Sequence, residues 1–94
     1  MEIKHHDTEH KGAFYIEENG QRVGEMTYVH AGPGKIIIDH TEVHSSMEGK
    51  GVGKQLLAAA VKYARENNLK IVPLCPYAKR VMEKSPDEYK DVLF

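Results

Sequence analysis

Lys35-Ile36-Ile37-Ile38-Asp39-His40-Thr41-Glu42-Val43 runs through His44 to Met47 into Glu48-Gly49-Lys50-Gly51-Val52-Gly53-Lys54. A β-branched run thus passes into a glycine-rich turn. The triple isoleucine predicts a central strand over Lys35 to Thr41, covered on both faces. From Gly51 to Asn67 the apolar residues are Val52, Leu56, Leu57, Ala60, Val61 and Ala64. That stripe has helical period, with Lys54, Lys62, Arg65 and Glu66 away from its centre. Asn67-Asn68 is a helix stop, because asparagine tolerates the left-handed conformation. Lys70 to Leu74 then reads as a second strand. A helix between two strands is a crossover, which makes those strands parallel.

Upstream, Ala13 to Glu17 and Arg22 to Val29 are rich in β-branched and aromatic residues. Asn19-Gly20 lies between them, a strong hairpin signal. Ala31-Gly32-Pro33-Gly34 makes a second turn into the isoleucine strand. A short first strand before Ala13 is compatible with the sequence but has no definite bounds. Downstream, Tyr77 to Lys84 reads as a short helix ended before Ser85-Pro86. Pro86 starts a last helical turn through Tyr89. The expected class is α/β in the broad sense, α+β in detail. It is a mixed, mainly antiparallel sheet with one long helix after the glycine turn and a short C-terminal helix.

The 94 residues allow one domain, expected to span 1–94. No apolar run approaches the roughly 20 residues needed to cross a membrane, and Met1 to His6 lack an apolar signal core. A cytoplasmic monomer is the expectation. Net charge is -1, from 13 basic and 14 acidic residues. That balance gives no field for nucleic acid or for a membrane surface. Cys75 is the one cysteine, so no internal disulfide is possible and a reducing compartment fits. His5, His6 and His10, like His40 and His44, lack the spacing of a metal motif, and no metal is expected.

A glycine-rich turn at a helix start suits an anion. The backbone curls without Cβ clashes, and the first helical N–H groups have no partner within the helix. Lys50 and Lys54 add charge nearby. The spacing excludes a P-loop: three residues separate Gly49 from Gly53-Lys54, and Gln55 follows. A dinucleotide fingerprint would need glycine in place of Lys54. A turn that merely tightens a corner remains the plain alternative.

Strand, glycine turn, amphipathic helix and further strand together resemble the central motif of the GNAT superfamily of N-acetyltransferases. The stretch from Asp39-His40-Thr41-Glu42-Val43 through the turn to Leu74-Cys75-Pro76-Tyr77 resembles the very short members of that superfamily. The resemblance implies acetyl-CoA as cosubstrate and an amine as acceptor. It places cofactor binding at Val43, Glu48, Gly49, Lys50, Gly51, Val52, Gly53 and Lys54. Glu48 stands where most members carry Gln or Arg. The chain also lacks the helices that usually wall the acceptor site.

In that superfamily the strands on either side of the helix diverge, and the acyl group lies between them. Pro73, which cannot donate to a ladder, fits such a break. His40 and Cys75 both belong near the same sheet edge. Cys75 is a candidate to accept the acetyl group, with His40 taking its proton. Alternatively, His40 deprotonates an amine that attacks acetyl-CoA directly. Unless a bulge intervenes, His40 shares strand parity with Ile36 and Ile38. Tyr77 is a candidate proton donor to the departing thiolate. Three functions are therefore open: an N-acetyltransferase, a non-catalytic CoA-binding regulatory or sensor module, and a structural adaptor.

Overall fold

Asn19 and Gly20 take φ of 52° and 78°. That twist lets two residues reverse β2 (Lys11–Glu18) into β3 (Gln21–His30). The computed structural model describes residues 2–94. Its remaining strands are β1 (Lys4–Asp7), β4 (Lys35–Val43) and β5 (Lys70–Pro73). The helices are α1 (Val52–Glu66), α2 (Pro76–Lys84) and α3 (Pro86–Tyr89), with a short 3-10 turn at Ser45–Met47. The sheet order is β1-β2-β3-β4-β5. All neighbours are antiparallel except β4 and β5, which α1 joins as a parallel pair. β1 is thus the strand before Ala13.

Alternation along the strands sends Phe14, Ile16, Met26, Tyr28, Ile36 and Ile38 to the face that α1 covers. They meet Leu56, Leu57, Ala60, Val61 and Ala64, the helical stripe. Each fully buried Leu or Ile stabilises the fold by roughly 1.5–3 kcal/mol. A Cβ on Gly24 would stand 2.8 Å from Val52 Cγ1, so the bare backbone of β3 lets the start of α1 settle close. α2 lies beside α1, with the Tyr77 ring against Gly53.

The expectation that the isoleucine strand is covered on both faces is corrected. Ile36 and Ile38 are fully buried, but Ile37 is only partly so. Ile37 shares its face with Tyr15, Val29 and Val72, also partly exposed, and α1 and α2 both lie on the other side. The C-terminal residues also join the sheet. Ile71 bridges Leu93 in parallel, with Ile71 N–H donating to Val92 C=O and Phe94 N–H to Ile71 C=O. No helix among the described residues is long and apolar enough to cross a membrane.

Candidate functional site

β4 and β5 pair from Lys35↔Lys70 to Ile38↔Pro73 and then part. At the parting point the Ile38 carbonyl accepts from both Leu74 N–H (3.0 Å) and Cys75 N–H (2.9 Å). Beyond it, β4 runs on to Val43 paired with β3 alone. The same stretch carries a bulge. Thr27 stands opposite His40 and Tyr28 opposite Ile38, so Asp39 is the extra residue. The extra residue reverses the parity. Thr41 and Val43 now take the helix side, while His40 and Glu42 project from the open face. His40 therefore does not follow Ile36 and Ile38 into the core. Its side chain is 57% exposed, and Nε2 lies 3.2 Å from Glu42 Oε2.

The turn after β4 is pinned before it curls. His44 N–H donates to Val23 C=O, His44 Nδ1 accepts from Ser46 N–H, and Met47 is buried. Gly49 and Gly51 then adopt φ of 77° and 71°, the left-handed region where a side chain is strained. The first helical bond runs from Gln55 N–H to Gly51 C=O at 3.1 Å. The amides of Val52, Gly53 and Lys54 are left without a helical acceptor, at the positive end of α1. A cavity of about 400 Å³ extends from Thr41 and Val43 across Glu48, Gly49 and Gly51 to Lys54 and Tyr77. A Cβ on Gly49 or Gly51 would meet nothing within 4 Å. Converging amides over open space fit a pyrophosphate. The Glu48 carboxylate at the rim opposes it, and Lys50 does not line the cavity.

Gly53 has a different reason to be glycine. A Cβ there would come within 2.8–3.1 Å of the Tyr77 ring. Its missing side chain seats Tyr77 rather than clearing a path for phosphate. Burial, as the leading influence, pushes the Tyr77 hydroxyl pKa up, which holds it protonated. Cys75 precedes α2, with Pro76 at the first helical position, and is 3% exposed. Its thiol donates to Thr41 Oγ1 at 3.1 Å. No hydrogen bond joins it to His40, which projects from the other face. A second cavity of about 620 Å³ continues past Lys54 and Tyr77 between α1 and α2, with Arg80 and Lys84 on its wall. Neither residue was singled out from sequence. Their spacing by four along α2 is the signal that puts both on one face. Thr41 was missed because only the bulge turns it inward.

The family model described as GCN5-related N-acetyl-transferase matches residues 13–92, and the chain belongs to that family. Among solved structures, the solution structure of a GCN5-like protein from Staphylococcus aureus is 46% identical. The match covers 99% of this chain and 87% of that one, with a TM-score of 0.75. The crystal structure of a ribosomal-protein-alanine N-acetyltransferase from Brucella melitensis shares the fold. There the TM-score is 0.64 at 24% identity, over 93% of this chain and 64% of that one. Protein NATD1 of Xenopus tropicalis is 30% identical over 61 residues, 65% of this chain. That stretch spans 56% of the length of this curated relative.

Proposed function

We propose that residues 1–94 act as one acetyl-CoA-dependent N-acetyltransferase domain that passes an acetyl group directly to an amine. The observation that carries this reading is the parting of β4 and β5 beyond Ile38 and Pro73. On the helix side it adjoins the cavity of Thr41, Val43 and the glycine turn. On the open side stands His40, held by Glu42. The amides of Val52, Gly53 and Lys54 hold the pyrophosphate, with Lys54 adding a partly screened charge. His40 takes a proton from the incoming amine. The amine nitrogen bonds to the acyl carbon and the carbon–sulfur bond breaks. Tyr77 hands a proton to the departing thiolate and recovers one from solvent. Cys75 stays under Thr41 and takes no acetyl group.

Native mass spectrometry and amine acetylation assays test this together. Retained acetyl-CoA and acetylated amine are expected. His40→Gln should lower turnover by about 10²–10⁴-fold, the usual worth of a positioned base, at unchanged acetyl-CoA affinity. A second reading, a non-catalytic CoA-binding regulatory module, is favoured by one observation. No imidazole or free carboxylate other than Glu48 lines the cofactor cavity among the described residues. Acetyl-CoA binding with no acetylation of any amine would establish that reading instead.

A further inference from the structure

The open face of the sheet carries a depression of its own. His6, Ala13, Thr27 and His40 form one row across β1, β2, β3 and β4. Ala13 is the small member between Lys11 and Tyr15, so the floor dips there. The resulting cavity is about 380 Å³ and includes Ala13, Thr27, Asp39, Arg22, Lys11 and His6 in its lining.

Its two ends differ in charge. At one end the bulge sets two consecutive residues, Asp39 and His40, on the same face. Thr27 Oγ1 donates to Asp39 Oδ1 at 2.7 Å, which fixes the carboxylate. Asp39 Oδ2 has no hydrogen-bond partner among the described residues and is left to receive an ammonium. At the other end are cationic groups. The Arg22 guanidinium lies 3.9 Å over the Tyr15 ring, which holds its plane. Its pairing with Glu25 is long, at 3.9 Å, and leaves the fork unfilled. Lys11 also lines the cavity, as does His6. Two strand spacings, about 10 Å, separate β2 from β4.

We propose that this depression is the acceptor site. Its substrate class is a primary amine that carries a carboxylate several bonds away, of which an ω-amino acid is the simplest form. The amine sits on Asp39 beside His40, and the carboxylate on Arg22 and Lys11. A plain diamine would fill only the Asp39 end and meet like charge at the other. The inference rests on the acetyl-transfer reading and names its acceptor.

The test compares free L-lysine with cadaverine, the same chain without the carboxylate. Binding to the full chain is followed by amide chemical shifts, and acetylation of each amine is measured alongside. L-lysine should shift the amides of Ala13, Thr27 and Val29 and bind at least tenfold more tightly than cadaverine. Arg22→Ala, an exposed change, should erase that difference. Equal binding of the two amines, or shifts confined to other parts of the sheet, would overturn the proposal. Acetyl-CoA binding is read separately by calorimetry. If it is lost while the lysine shifts persist, the transfer reading falls and the amine site stands. If acetyl-CoA binds and lysine does not, the acceptor site falls alone.

Discussion

The thiol of Cys75 donates to the hydroxyl of Thr41 across 3.1 Å, where β4 and β5 part. The contact uses the thiol proton and keeps the sulfur under the wedge. Incubation with acetyl-CoA should therefore leave Cys75 without a hydroxylamine-labile acetyl group, as read by intact mass. Cys75→Ala should keep acetyl-CoA affinity and lose about 1 kcal/mol of stability, the worth of one hydrogen bond. An acetyl-enzyme that disappears in this variant would restore Cys75 as the nucleophile.

Gly51 and Gly53 should fail in different ways. Gly51→Ala meets no atom but must hold φ near 71°, which costs about 1–2 kcal/mol of stability. Its new Cβ also enters the cavity, so acetyl-CoA affinity should drop. Gly53→Ala gains about 1 kcal/mol of helix propensity. It loses about 1–3 kcal/mol by driving into the Tyr77 ring. Denaturation curves and calorimetry on the two variants check this. Should Gly53→Ala prove more stable and bind normally, Tyr77 is not seated as described.

Lys54 should matter less than the glycines. It is exposed, and a charge screened by solvent contributes little next to three converging amides. Lys54→Ala should weaken acetyl-CoA binding by at most about 1 kcal/mol in calorimetry. A loss of several kcal/mol would move the pyrophosphate from the amides to the lysine.

Acid should weaken the β1 edge. His5 stacks on Phe14 at 4.1 Å, and its Nε2 lies 2.6 Å from the Tyr28 hydroxyl. Burial lowers its pKa below the ordinary 6.5. Between that value and the lower folded one, the unfolded chain binds more protons. Stability should therefore fall as pH drops below about 6.5. Asp7 adds a later loss. Burial works against its charge, but hydrogen bonds from Tyr28 and His30 bring its pKa below 3.8. Its contribution holds above that value and disappears as pH falls further. Urea midpoints from pH 7.5 to 5 should decline in the wild type and decline less in His5→Phe. Parallel curves would assign the acid sensitivity to other groups.

Local chemistry made the central motif readable without a structure. Ile36 to Ile38, the glycines and the Val52-to-Ala64 stripe each specify their own backbone state, so strand, turn and helix follow from neighbours in the chain. A helix between two strands then dictates a parallel pair, and Asn19-Gly20 dictates a hairpin. The side on which a strand residue stands is another matter. Period-two alternation carries Ile38 to the core and would carry His40 with it. The bulge opposite Thr27 and Tyr28 is a property of two paired strands, and it alone turns His40 outward and Thr41 inward. Gly53 likewise reads as part of a phosphate turn until α2 brings Tyr77 against it. Leu93 lies far from Ile71 in the chain, and only the free edge of β5 brings them into a bridge. Sequence determined the central elements and the glycine turn between them. Tertiary packing decided which side chains share the wedge, because face and register arise between strands and not along one.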